Sequence, residues 1–305
     1  VADRIAAATG GRIEIQLFAA GELAPALEAM DAVAGGAAQM AHTAPAFWGG
    51  KARVAPLFMA GPFGLTPIEH SAWLLHGGGQ ALWDALYADL GVKPLAAGNT
   101  GMSMGGWFKQ PIETAADLSG LRWRMPGLGG EMYRRLGVAQ VSLSPGEAQI
   151  ALASGAVDAA EFAGPSSDLA LGLHQAADWY YWPGVHEPNG LGELLIDAAL
   201  WADLPGDLQA AIEQAAAEEA LAGLAESELM NRAALDRITG EFGVTLSRFP
   251  DAVIAAARDA ADDLYAELRA LNGLQGRIAA AYDDARRAVG DWPRVSAAGF
   301  FDARA

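Results

Sequence analysis

Apolar and polar residues take turns along Arg12-Ile13-Glu14-Ile15-Gln16-Leu17-Phe18, the period-two alternation of a half-buried strand. Before it, residues 1–8 carry a helical spacing that Gly10-Gly11 closes, and after it Pro25 opens a helix to about residue 33, ended by Gly35-Gly36. Residues 38–44 predict a buried strand, and Trp48-Gly49-Gly50 and Pro62-Phe63-Gly64 predict breaks. Thr66-Pro67-Ile68-Glu69 has the spacing of a capping box and predicts helices running to about residue 90. Residues 92–97 read as a strand. Strands alternating with helices argue for an α/β protein.

A second rhythm starts near Asn99. Strands are expected over 102–109, 121–125, 138–143, 157–162 and 191–196. Between them, the Pro126-Gly127-Leu128-Gly129-Gly130 turn leads to a helix over 131–136, and a further helix is expected over 145–154. Ala/Glu/Leu runs at 207–238, 251–271 and 275–289 have the spacing of core-facing amphipathic helices. Two α/β lobes joined by short crossovers is the economical arrangement.

Composition narrows the function classes. Of 305 residues, 52% are hydrophobic and 19% charged, which suits a sizeable core in one large domain or two ordinary ones. Acidic residues outnumber basic ones, 37 to 20, for a formal charge of −17. So acidic a chain is a poor partner for nucleic acid or anionic lipid. The absence of cysteine removes disulfides, thiolate nucleophiles and cysteine metal sites. No run approaches the roughly 18 apolar residues of a membrane span. The opening Val-Ala-Asp-Arg shows no charged-then-apolar leader, which leaves a cytoplasmic protein and one with its leader removed both open.

Several segments could carry chemistry. Gly101-Met102-Ser103-Met104-Gly105 matches the G-x-S-x-G elbow of serine hydrolases, with His174 and His186 downstream. An elbow needs a helix directly after its serine, whereas Gly105-Gly106-Trp107-Phe108 and then Pro111 suit extended chain. Arg124 stands at a strand end just before the Gly127–Gly130 turn, whose free N–H groups would seat an anion. Met132 breaks the G-x-G-x-x-G dinucleotide pattern. Arg124 could grip a carboxylate through two parallel hydrogen bonds or pair with a structural acid. Glu161 and Glu187 could bind a hard cation, an amine or a hydroxyl, or lie solvated in loops.

Taken together, these segments resemble the solute-binding proteins of tripartite ATP-independent periplasmic (TRAP) transporters, the DctP-like family. The resemblance is carried by Thr9-Gly10-Gly11-Arg12-Ile13-Glu14-Ile15 and Ala20-Gly21-Glu22-Leu23, and by Asp117-Leu118-Ser119-Gly120-Leu121-Arg122-Trp123-Arg124-Met125-Pro126. Glu147 through Leu152, Gly155, Val157-Asp158-Ala159-Ala160-Glu161 and Ala202-Asp203-Leu204-Pro205 extend it over nearly the whole chain. Gly98-Asn99-Thr100-Gly101, Gly105-Gly106-Trp107-Phe108, Glu161-Phe162-Ala163-Gly164-Pro165 and Tyr180-Tyr181-Trp182-Pro183-Gly184 look like the branch that binds 2-oxo or 2-hydroxy monocarboxylates.

The resemblance implies a type II-like periplasmic binding fold with a cleft between two lobes and long C-terminal helices. Lobe I would comprise 1–100 and 190–229, lobe II 101–189 and 230–282, with a C-terminal helix and tail over 283–305. It implies capture rather than catalysis, delivery of a small organic acid to TRAP permease subunits, no organic cofactor, and a periplasmic location with the leader absent from this chain. Arg124 would pair with the ligand carboxylate and Gly127 would add donors. Glu161, the Phe162 carbonyl and Glu187 would hold sodium or calcium, and Phe47 and Trp48 would face the cleft. Ser103 stands where the branch carries a glutamine that contacts metal and ligand, which removes a cation ligand and enlarges the pocket. Phe162 replaces a tryptophan, a change that a backbone-carbonyl contact survives. Without a metal, Glu161 and Glu187 would instead receive an amine or zwitterion. Family members also begin with a strand that precedes the segment matching 1–10.

Overall fold

The computed structural model describes residues 1–304. Its strands are β1 (Met40–Thr43), β2 (Val92–Asn99), β3 (Gly106–Phe108), β4 (Arg122–Arg124), β5 (Ala139–Val141), β6 (Ala159–Ala160), β7 (Trp179–Trp182), β8 (Leu191–Asp197) and β9 (Thr245–Arg248). Its α-helices are α1 (Ala2–Thr9), α2 (Ala29–Ala34), α3 (Pro67–His76), α4 (Gly79–Ala88), α5 (Gly127–Arg134), α6 (Pro145–Ser154), α7 (Pro165–Ala170), α8 (Ala198–Asp203), α9 (Gly206–Asp236), α10 (Asp251–Arg269), α11 (Gly273–Val289) and α12 (Gly299–Arg304). The capping boxes form as the sequence dictates: Thr66 N–H donates to Glu69 at 2.8 Å, and Ser144 N–H to Glu147 at 2.9 Å.

The strands sort into two sheets. The smaller has the order β1-β8-β2, antiparallel throughout. Its alternating apolar residues Leu95, Ala97, Leu194 and Ile196 pack on Ile5 of α1 and on Ile212, Ala215 and Ala216 of α9. The larger has the order β5-β4-β6-β3-β7-β9. Here β5, β4 and β6 run parallel, and β3 runs antiparallel to β6 and β7. Trp107 stacks on Tyr180 across β3 and β7 with centroids 4.0 Å apart. An extensive aromatic core built on Phe58, Trp73, Trp83, Trp123, Tyr265 and Tyr282 ties in α10 and α11. Tyr282 Oη accepts from the Gly61 and Leu65 N–H groups at 3.0 and 3.1 Å.

The chain passes between the sheets three times, twice through short segments that pair with each other and once along α9. Thr100 N–H donates to Gly190 O at 3.0 Å, and Gly190 N–H returns to Gly101 O at 3.1 Å. Asn99 Nδ2 donates to Asn189 Oδ1 at 2.9 Å. Helix α9 passes over this crossing at Gly223, where a Cβ would sit 3.0 Å from Asn99 N, so the close approach favours glycine. One turn on, Ser227 Oγ donates to Asn99 O at 3.1 Å.

Some expected elements differ. Residues 12–18 join no sheet. Ile13 and Ile15 are half-buried against the small sheet's core, but Leu17 and Phe18 are exposed, so the alternation marks a packed face over its first half only. A strand also needs a hydrogen-bonding neighbour. β1 pairs only with β8, and a cavity separates its other edge from residues 12–18. The strand expected over 102–109 shrinks to Gly106–Phe108, because Gly106 turns at φ 115° with Ala160 O close beneath it. Helix α5 starts at Gly127 rather than at residue 131.

Glu193 of β8 is fully buried in the first lobe, with Trp48 Nε1 donating to its carboxyl. Burial pushes this carboxyl up to about 8, against the pull of the indole hydrogen bond. An acid raised in the fold keeps a proton that the unfolded chain releases, so its contribution to stability falls as pH rises from the ordinary glutamate range towards 8. Urea denaturation at pH 5 and pH 8 is expected to show the wild type losing roughly 3 kcal/mol more than Glu193→Gln across that interval. Equal losses in the two proteins would mean that Glu193 is ionised throughout.

Candidate ligand and cation site

The parallel strands β5, β4 and β6 end together at one edge of the large sheet, and ligands of open α/β sheets gather at such carboxyl ends. Arg124 closes β4, pairing in register with Val141 of β5 and Ala160 of β6. Glu161 is the next residue past Ala160. Both side chains are 1% exposed. Arg124 Nη1 donates to Glu161 Oε1 at 2.9 Å and also to the Glu161 carbonyl, while Nε donates to Leu143 O at 3.1 Å. Nη2 alone is buried without a partner. The guanidinium is therefore anchored by its structural acid and still keeps one nitrogen free for a ligand, in place of a symmetrical two-nitrogen fork.

Glu161 is held at its other oxygen as well, because His186 Nε2 lies 3.1 Å from Oε2. Glu187 follows His186 in the chain and is 3% exposed. Burial raises its carboxyl well above the usual range, and the Glu161 charge raises it further, against the lowering effect of Arg124. One ligand atom each from Glu161, His186 and Glu187 lie within 4.8 Å of one another. Two buried carboxyl groups this close suit a cation, which would relieve their repulsion and let Glu187 ionise.

A cavity of about 1680 Å³ reaches this cluster. Arg124, Glu187, Phe162 and Phe47 line its inner end, and it continues past Thr43 and Asn99 to Ile13, Ile15 and Met40. It is larger than one small ligand needs. Gly127 has φ +65° and lines a smaller adjoining cavity; a Cβ there would lie 3.2 Å from Glu187 Oε1, so glycine leaves room for that carboxyl.

Trp48 departs from expectation. It is 1% exposed, absent from the cavity wall, and spent on the core and on Glu193. Phe47 and Trp48 are consecutive in a short 3-10 turn, about 120° apart around its axis, and of the two only Phe47 lines the cavity. Ser103 is buried, its Oγ has no partner, and it does not line the cavity. It also lies in a bend between β2 and β3 with no helix after it, which removes the geometry of a nucleophile elbow.

Two residues that the sequence reading did not place at the site support it. His186, considered there only as a hydrolase partner, orients Glu161. Asp168 of α7 is 1% exposed and accepts from Trp107 Nε1 at 2.8 Å, Tyr180 Oη at 2.7 Å and Ala163 N–H at 3.0 Å. Burial pushes its carboxyl up to about 6 against these three donors. It thereby pins the Glu161-Phe162-Ala163 segment to β3 and β7. The signal for Asp168 was an aspartate early in a helix opened by Gly164-Pro165.

The family model for DctP, bacterial extracellular solute-binding protein family 7, matches residues 1–271. The chain belongs to this family, whose members are substrate-binding transport proteins rather than enzymes. It is 38% identical over 296 residues to the monocarboxylate 2-oxoacid-binding periplasmic protein of Nostoc sp., spanning 97% of this chain and 81% of that one. A TRAP transporter solute-binding protein from Bordetella bronchiseptica RB50, solved with calcium and picolinate, superposes with a TM-score of 0.96 at 32% identity, covering 99% of this chain and 90% of the other. One from Pseudoalteromonas atlantica, with bound sodium and pyruvate, gives 0.94 at 32% identity over 99% and 92%. The two-lobe α/β fold is shared with these structures. Among the described residues no helix is long and apolar enough to cross a membrane.

Asp168→Ala would strand three buried donors, and denaturation should show a loss on the order of 3–5 kcal/mol. Asp168→Asn, which keeps an acceptor, should lose clearly less. Equal losses would show that packing, not hydrogen bonding, is what Asp168 supplies.

Proposed function

We propose that this protein is a periplasmic receptor that captures a small 2-oxo or 2-hydroxy monocarboxylate with a cation and delivers it to TRAP permease subunits. The observation that carries this reading is the buried Arg124 guanidinium, anchored on three acceptors with Nη2 unpartnered, on a residue that lines the same cavity as Glu187. Burying a cationic donor without a partner is costly, and an anionic ligand oxygen removes that cost. The relatives bound to pyruvate, picolinate and 2-oxoacids support the same class of ligand.

The roles follow from the geometry. Arg124 orients the carboxylate through Nη2. Glu161, the Phe162 carbonyl and Glu187 are the residues that would hold sodium or calcium. Bound there, such an ion supplies positive charge to the ligand's 2-oxo or 2-hydroxy oxygen. Phe47 and Phe162 exclude water, which strengthens the charge pairing by lowering the local dielectric. In this reading lobe I comprises 1–100 and 190–229 and lobe II comprises 101–189 and 230–282, with 283–305 as helix and tail. Closure about the 99–101 and 189–190 crossings buries the ligand. An amine bound at Glu161 and Glu187 would leave Arg124 Nη2 without an anionic partner, so the carboxylate reading is the stronger.

Thermal unfolding of dialysed protein should separate the ligand classes. A 2-oxo acid at about 100 times its dissociation constant adds roughly 2.7 kcal/mol, a shift of several degrees. The shift is expected to vanish in chelator and sodium-free buffer. Calorimetry of Arg124→Ala should show affinity lost by about 3–5 kcal/mol. Unchanged affinity in that variant, or a shift produced only by amines, would sink the carboxylate assignment.

A further inference from the structure

His186 is fully buried, and its two ring nitrogens keep different company. Nε2 faces Glu161 Oε2 at 3.1 Å, whereas Nδ1 is buried with no partner. A proton on Nδ1 would be an orphaned buried N–H, the rarer and costlier kind of unmet polar group. A proton on Nε2 instead donates to a carboxylate. The ring is also fixed in place. Gly129 of α5 lies against it so closely that a Cβ there would be 2.8 Å from His186 Cβ, and the Trp123 ring flanks it with centroids 6.5 Å apart.

An imidazole ligates a metal through a nitrogen that carries no proton. Nε2 is the nitrogen that faces Glu161, and the lack of any partner at Nδ1 favours the tautomer that carries its proton on Nε2. Proximity alone would count His186 as a third ligand beside Glu161 and Glu187; the hydrogen bonding excludes it. With Arg124 on Oε1 and His186 on Oε2, the Glu161 carboxylate is pinned at both ends, and each oxygen keeps a second lone pair for an ion.

We propose that His186 is the positioning residue of the cation site: by holding Glu161 through Nε2–H it leaves an all-oxygen ligand set that takes calcium or sodium in preference to zinc. This rests on the receptor reading and adds to it which side chain sets the class of ion. Oxygen ligands suit hard cations, whereas an available imidazole would favour zinc.

The experiment titrates calcium and zinc, separately, into dialysed full-length wild type, His186→Leu and His186→Gln at saturating pyruvate, and records the melting temperature of each protein in chelator. His186→Leu is expected to bind calcium about 10- to 100-fold more weakly. His186→Gln, which can still donate to Glu161, is expected to recover most of that loss. In the wild type, zinc should bind no more tightly than calcium. Calcium affinity unchanged in a folded His186→Leu would overturn the proposal. So would zinc preferred over calcium by wild type, a result that does not depend on either variant folding. Pyruvate binding that needs no cation would overturn this inference and the cation part of the proposed function, and leave the carboxylate-receptor reading standing. Failure of the wild type to bind any 2-oxo acid under any ionic condition would bring down the receptor reading itself.

Discussion

Arg124 and Glu161 are each 1% exposed, and Arg124 Nη1 lies 2.9 Å from Glu161 Oε1. Two charges removed this far from water are tolerated only when geometry is good and the remaining donors and acceptors are met. The sheet meets most of that demand before any ligand arrives. Because β4, β5 and β6 are parallel and end together, the Leu143 carbonyl, the Glu161 carbonyl and the Glu161 carboxylate converge on one guanidinium. A one-residue slip of β6 against β4 would move Glu161 away from Arg124 and leave a bare buried charge. Register and binding chemistry are the same constraint here.

The cavity wall inherits its shape from the cores behind it. Phe47 faces the cavity while its neighbour Trp48 is locked to Glu193 in the small lobe's interior. On the opposite side Phe162 is flanked by Glu161, tied to Arg124, and by Ala163, whose N–H is held by Asp168. Neither aromatic ring of the wall hangs from a free loop, and a site preorganised in this way loses less entropy when it binds.

Much of this was readable along the chain, and the failures have physical causes. The capping box at Thr66, the long late helices and the strands at 92–97 and 191–196 depend on nearby residues, and they appear as expected. The strand expected at residues 12–18 failed because pairing is a property of two segments, and alternation reports on only one. At the site, Arg124, Phe162, Glu187 and Phe47 share a cavity wall, while Glu161 stands immediately behind it. Trp48 could not be told from Phe47, since which of two neighbouring aromatics turns inward is decided by Glu193, far away in sequence. His186 was passed over because an isolated histidine carries no spacing signal, and its meaning comes from an acid 25 residues earlier that the sheet brings to it.

Helix α9 has 31 residues, about 46 Å at the usual rise, and it touches the small sheet's core near Ile212 and leads to Ile238 in the large sheet's core. Between those points Gly223 and Ser227 rest on Asn99, at the crossing about which closure is proposed. A continuous rod clamped at both ends and supported in the middle turns any opening of the cleft into flexure of that rod. The work of flexing is shared by many backbone hydrogen bonds, so it rises smoothly with angle and stores no abrupt latch. A ligand a little too large for the cleft would then be rejected elastically, by a restoring force generated far from its own contacts.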